Sequence, residues 1–205
     1  MKILKNPEDN ELIYAINSLE DGNLVVYPTD TIYGIAANVY DDKAIEHLFR
    51  AKDRSYDKPV SISLSCVSDI SSVAYTNSAI DEIVNLLLPG PYTILLRKRS
   101  CISDLLTSGS SIVGVRVPDN PVAQKLADKF PITSTSANIS NNSTPDNIDD
   151  IYKQLKDEVD VYIDCGVMDD NTQSTILDLT GKRVQVLREG KCDEDLIKRI
   201  LKKNL

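Results

Sequence analysis

Histidine is almost missing from this chain of 205 residues: His47 is the only one. Zinc centres built on two or three histidines are therefore excluded. A Ser-His-Asp or Cys-His mechanism would have to run through His47, which lies in the helical-looking stretch 44–50. Cysteine is sparse as well. Cys66, Cys101, Cys165 and Cys192 lie 35, 64 and 27 residues apart without a Cys-x-x-Cys pair. Zinc ribbons and thioredoxin-type sites are thereby disfavoured, and buried free thiols are expected. No apolar run approaches the ~20 residues of a membrane span. Residues 1–7 hold no apolar signal core, so a soluble, cytoplasmic protein is expected. Neither a P-loop nor a Gly-x-Gly-x-x-Gly turn occurs, which disfavours the common nucleotide folds.

What is present suits a single domain over residues 1–205. Hydrophobic residues make up 41% and charged residues 26%, enough for a core and too apolar for disorder. The net charge of −8 is uneven: residues 146–170 carry nine acids and two bases, −7, leaving −1 for the rest. Such acidity argues against broad electrostatic binding of nucleic acid and leaves room for local basic groups that hold an anion in a cleft.

Helix and strand signals alternate. Asn6 and Pro7 mark a helix to about Leu19, Asp41 or Asp42 one to about Ala51, and Ser78 one to about Leu88. Further helices are expected from Asn120-Pro121 to about Lys129, from Thr144-Pro145 to about Leu155, and over 193–201. Strands are expected over 24–27, 60–64, 92–96, 112–117, 132–134, 159–163, 175–179 and 184–187. The alternation predicts an α/β domain with a central mixed sheet, whose ligands would sit beyond strand ends.

Polar clusters fall at those ends. Residues 28–34, Pro-Thr-Asp-Thr-Ile-Tyr-Gly, hold more side-chain donors and acceptors than a turn requires. Lys52, Arg54 and Lys58 project from a charged loop suited to phosphate, although a solvated loop is the plainer alternative. Arg116 lies inside the apolar strand 112–117 and needs a partner, either a structural acid or a substrate carboxylate. Gly114, two residues earlier, shares its face and could leave room for a ligand. Residues 134–140, Ser-Thr-Ser-Ala-Asn-Ile-Ser, are dense in hydroxyls that could cradle phosphate or simply cap a turn.

With these clusters in this order, the chain resembles the YrdC/TsaC family of L-threonylcarbamoyladenylate synthases over about residues 8–200. Its matching segments are PTDTIYG, KDRSYDKP, LLPGPYTILL, VGVRVPDNPVA, STSANIS with the following STP, and QSTILDL with VLREG. The resemblance implies a twisted, open mixed sheet flanked by helices, of the YrdC-like (DHBP-synthase-like) kind. It implies that L-threonine, bicarbonate and ATP give threonylcarbamoyl-AMP and pyrophosphate, with Mg²⁺ on the phosphates. The product would serve t6A modification of ANN-decoding tRNAs, through a separate transfer machinery.

Carried onto this sequence, the family pattern places Thr29, Arg116, Ser134 and Ser174 around threonine, with Thr31, Tyr33 and Ser63 in the same substrate site. Lys52, Arg54, Lys58, Ser136, Asn138, Thr144 and Arg188 fall around ATP, Lys52 and Arg54 as the catalytic cations. No metal ligand from the protein is implied. Asp30 stands where the family has Glu, Ser63 where many members have His, and Gln173 where the motif has Glu. Two other readings stay open: a carbamoyl-adenylate-forming module, and an RNA-binding or ribosome-assembly factor with weak direct RNA contact.

Overall fold

The computed structural model describes every residue except Asp169 and Asn204. Its first third runs β1 (Lys2–Lys5), α1 (Asp9–Glu20), β2 (Val25–Tyr27), β3 (Gly34–Ala36), α2 (Asp42–Ala51), β4 (Ser61–Ser63), α3 (Ile70–Val73) and β5 (Ala74–Tyr75). Then come α4 (Ser78–Leu87), β6 (Tyr92–Lys98), β7 (Ile112–Arg116), α5 (Pro121–Leu126), β8 (Ile132–Ser136) and α6 (Ile148–Leu155). The chain finishes with β9 (Val161–Asp164), β10 (Thr175–Asp178), β11 (Gln185–Arg188) and α7 (Glu194–Ile200). Among the described residues, no helix is long and apolar enough to cross a membrane.

The strands join one open mixed sheet in the order β1-β9-β2-β3-β8-β4-β7-β6-β10-β11, with β5 pairing β6 beside that path. The mixed α/β architecture is the one expected. Two hydrophobic clusters cover its two faces. The larger takes Val26, Ile35, Ile62, Val115, Ile94 and Leu177 from the strands and packs them against α2, α4, α6 and α7. The smaller takes the alternate residues Val25, Tyr27, Ala36, Ile132 and Val161 and packs them under α1 and α5. Period-2 alternation sorts neighbouring residues to opposite faces. The smaller cluster draws no residue from β4, β6, β7 or β10. On that half of the sheet the face carries Ser61, Gly114, Thr93 and Ile176 instead.

Some element boundaries differ from the sequence expectation. Asn6 does not cap α1: it has φ +42 and donates its N–H to the Asp164 carbonyl, continuing the β1–β9 pairing. The helix starts instead at a capping box, in which the Glu11 side chain accepts from the Glu8 N–H at 3.1 Å. Thr144 does not cap α6 either. Asn147 does, accepting from Asp150 N–H at 2.9 Å, while the Thr144 carbonyl accepts from Asn171. Strands β1 and β3 were not foreseen, both being short. Because β3 pairs with β8 through Gly34 and Ser136, the strand expected over 132–134 continues through 135–136.

The cysteines also depart from expectation. Cys66, Cys101 and Cys165 are exposed, and Cys192 is half-buried. All four stand in loops or beside element ends, off the strand positions that feed the core.

Candidate active site

The bare half of the face is the floor of a cavity of about 320 Å³. Ser61, Thr93, Arg116, Ser134 and Ser136 project into it from the sheet, and Thr29 and Arg54 from loops. Gln173, Ser174 and Arg188 form a wall beside β10 and β11. Register accounts for the convergence. Ser61 pairs with Ser134, Gly34 with Ser136, Ser63 with Arg116, and Ile176 with both Thr93 and Arg188. Gly114 keeps the floor flat: a methyl there would lie 2.4 Å from Ser61 Oγ and 3.2 Å from Thr93 Cγ2.

Arg116 is 6% exposed. Its Nη2 donates to Asp30 Oδ1 at 2.9 Å and to Thr31 Oγ1 at 3.0 Å. The structural acid and the ligand alternatives for this arginine thus meet in one group. Asp30 offsets the charge, yet among the described residues Arg116 Nε, Asp30 Oδ2 and Ser63 Oγ, on the residue paired with Arg116, are buried without a hydrogen-bond partner. Buried polar atoms are ordinarily satisfied, so three orphans around one guanidinium mark a place prepared for something else. Burial pushes the Arg116 pKa down, opposed by Asp30 and Tyr27.

Arg188 spends its donors on neutral acceptors. Nε and Nη2 reach the Ser174 carbonyl at 3.1 and 2.8 Å, Nη2 reaches Ser174 Oγ at 3.0 Å, and Nη1 reaches Gln173 Oε1 at 2.6 Å. Its pKa is lowered by burial and by the positive charge of Arg116. Arg54 folds its own loop, donating to the Lys58 and Pro59 carbonyls at 3.1 and 2.8 Å. Among the described residues, the lining holds three arginines and no acid. In a chain of net charge −8, this concentrates positive potential in one concavity.

The remaining expected site residues are placed differently. Lys52 lies against the end of β8, 1% exposed, its Nζ bonded to the Ser136 carbonyl, to the Asn138 carbonyl at 2.8 Å and to Asn138 Oδ1 at 3.4 Å. Burial, then the charge of Arg54, pulls its pKa down to about 7. Asn138 is fully engaged, accepting from Ser136 Oγ and donating to the Ile139 and Asn142 carbonyls. Lys58 is exposed and outside the lining, offering only its carbonyl to Arg54. Thr144 stands apart for the reason given above.

Tyr33 points to the opposite face, because Gly34 takes the cavity side. Its hydroxyl donates to the Gly166 carbonyl at 2.8 Å and accepts from Cys165 N–H. Ser63 shares the face of Ser61 but is covered. Thr29 and Thr31 are buried: Thr29 Oγ1 ties the loop through Ile32 and Thr31, and Thr29 also lines the cavity. His47 is elsewhere, 3.6 Å from Glu158.

Ser61 and Thr93 join the site without having been singled out, and Gln173, noted in the sequence only as a departure from the family motif, joins it too. For Ser61 the signal was present in the alternation Ser61-Ile62-Ser63, which puts two hydroxyls on the face opposite the core. Gln173 and Thr93 become neighbours of the other groups only through strand pairing.

Fold and cavity together define an α/β protein with a polar, arginine-lined cavity on one bare sheet face. A family model for Sua5/YciO/YrdC, described as telomere recombination, matches residues 17–190. The chain belongs to the Sua5/YciO/YrdC family. A putative threonylcarbamoyl-AMP synthase of Methanocaldococcus jannaschii is 35% identical over 195 residues, covering 92% of this chain and 93% of that protein. The threonylcarbamoyl-AMP synthase of Pyrococcus abyssi is 30% identical over 95% of this chain and 58% of its own length.

Among solved structures, P. abyssi Sua5 complexed with L-threonine superposes with a TM-score of 0.93 at 28% identity, over 100% of this chain. The chain spans 62% of that longer protein. Escherichia coli YciO superposes with a TM-score of 0.85 at 26% identity, over 96% of this chain and 98% of that one.

Proposed function

We propose that this chain, acting as one unit over residues 1–205, is a threonylcarbamoyl-AMP synthase. It would join L-threonine, bicarbonate and ATP into L-threonylcarbamoyladenylate and pyrophosphate, for the t6A modification of ANN-decoding tRNAs by a separate transfer machinery. The curated relatives carry that name, a nucleotidyltransferase-type activity. The observation that carries the reading is the lining of three arginines and no acid on a floor of hydroxyls. Such a site suits a substrate set with one carboxylate and a triphosphate.

In this reading the unpartnered Nε edge of Arg116 receives the threonine carboxylate, and Thr29, Ser134 and Ser174 surround the amino acid. Arg54 and Arg188 face the phosphates, with Ser136 beside them. Lys52 and Asn138 act one step back, by fixing the strand end that carries Ser136. Among the described residues no cluster of acids or histidines could hold a metal. In this reading magnesium would enter with its nucleotide, as MgATP.

The neutral threonine amine adds to the carbon of CO2, which bicarbonate supplies by losing hydroxide; the amine gives up a proton, hydroxide and proton leave together as water, and a carbamate results. A carbamate oxygen then attacks the α-phosphorus, and pyrophosphate leaves. Alignment and charge neutralisation are what such a displacement needs from the protein. No protein nucleophile is required, in keeping with the distance of His47 from the cavity.

The test is pyrophosphate release by the purified protein with MgATP and bicarbonate, with L-threonine, L-serine or no amino acid. Release that depends on threonine and bicarbonate is the expected result. Release without an amino acid would point to carbamoyl-adenylate formation or plain hydrolysis and would overturn the reading.

A further inference from the structure

We infer that Gln173 sets how tightly the site holds a polyphosphate, by acting as a neutral, displaceable placeholder on Arg188. The inference deepens the reading above and rests on its assignment of Arg188 to the phosphates.

The three cavity arginines are not equivalent. Arg116 is salt-bridged to Asp30 at 2.9 Å. Arg54 feels the acid Asp57. Arg188 contacts only neutral oxygens, and the charge acting on it is the repulsive one of Arg116. Arg54 too bonds only carbonyls, but Asp57 acts on it, whereas no acid acts on Arg188, whose charge is free for an incoming anion.

Its guanidinium is also oriented in advance. Nε and Nη2 are held by Ser174, which is 4% exposed and anchored by Thr93 through a 2.8 Å hydroxyl contact. That leaves Nη1, which meets the tip of Gln173 at 2.6 Å. Gln173 is exposed at the cavity wall, and its backbone is fixed through a carbonyl that accepts from Lys191 N–H at 2.8 Å. Its side chain can thus withdraw without moving the wall.

An amide oxygen on Nη1 occupies the position a phosphate oxygen would take. It satisfies the donor without cancelling the charge, so a phosphate that replaces it gains a charge-assisted bond in exchange for a neutral one. A carboxylate at the same place would close an ion pair and compete with the phosphate. The class of ligand that gains is one with adjacent phosphates: ATP on entry, pyrophosphate on exit.

The test is direct calorimetric binding of inorganic pyrophosphate and of MgATP to the full chain, in the wild type, Gln173→Glu and Gln173→Ala. Gln173→Glu is expected to weaken both ligands about tenfold at low ionic strength, with the gap narrowing as salt screens the pair. Gln173→Ala is expected to bind both ligands about threefold tighter than the wild type, since Nη1 is freed and no charge is added. Far-ultraviolet dichroism checks that both variants are folded.

Pyrophosphate binding by Gln173→Glu equal to that of the wild type would overturn the inference. So would an equal loss in Gln173→Ala, or no binding of pyrophosphate by the wild type. The proposed activity fails separately: binding that follows the expected pattern, in a protein that forms no threonine-dependent product, would sink the synthase reading and leave the role of Gln173 standing.

Discussion

One face of the sheet is divided between two regions that obey the same alternation and do opposite things. Over β2, β3 and β9 its residues are Val25, Tyr27, Ala36 and Val161, sealed by α1 and α5. Over β4, β7, β6 and β10 they are Ser61, Thr93, Arg116 and Ile176, open to the cavity, with Gly114 between Ser61 and Thr93. Strand β8 crosses the boundary, with Ile132 in the covered part and Ser134 and Ser136 in the open part. The pattern that directs a side chain to a face does not say whether a helix lies above it. Polar residues at positions that alternation would give to a core are the mark of the open part.

The sharpest way to break the comparison is Arg116→Ala. Removing one partner of a buried charge pair costs about 2–5 kcal/mol, and Asp30 is left without its counter-charge. Titrations of pyrophosphate release should show the threonine requirement rising by roughly 30-fold or more, with the ATP requirement within about threefold. Unchanged threonine dependence would remove Arg116 from the substrate site.

Leu19→Ala tests the covered part. Leu19 is fully buried under the smaller cluster, so about 3 kcal/mol of stability should be lost in urea unfolding. The substrate requirements of the folded enzyme should not move. A changed threonine requirement would show that the two regions are coupled.

Lys52→Met lies between the regions. It leaves the Ser136 and Asn138 carbonyls without their donor, a loss of about 1–3 kcal/mol. The pH dependence has a definite sign. The folded pKa of about 7 lies below the ordinary lysine value, so between those limits the unfolded chain binds the extra proton. Wild-type stability should therefore gain from this residue as pH rises from 7 towards 10, and that gain should vanish in Lys52→Met. Parallel pH profiles for the two proteins would contradict it.

The smallest effect expected is at the floor. Gly114→Ala should push the Ser61 hydroxyl aside and weaken substrate binding by about 1 kcal/mol. Adding Ser61→Ala should restore most of that, because the nearest remaining contacts are the Ser61 Cβ and Thr93 Cγ2, each at 3.2 Å. A double mutant no better than the single would place the strain elsewhere.

Much of this was legible in the sequence. Periodicity placed most strands and helices, and the mixed α/β class followed from their alternation. The cluster at 28–34, Arg116 and the hydroxyls of 134–136 were visible because each breaks a local rule, a charge in an apolar strand or more polar atoms than a turn uses. Asp30 as the partner of Arg116 was not legible, because the two are 86 residues apart and meet only through the fold. Lys52 read as a free cation, since nothing local reveals that three oxygens will enclose it. Strand β1 and the cap of α1 were missed for a shared reason: pairing with β9 overrode the helix-start signal of Asn6-Pro7.

An open sheet keeps two unpaired margins, and each is a template on which another chain could grow. Strand β1 meets that hazard with brevity and with exposed Lys2 and Lys5, and β11 with four residues, a register shift against β10 and a terminal arginine. Charge and irregularity of this kind discourage edge-to-edge growth. Arg188 thus stands at once in the cavity lining and at the end of a guarded margin.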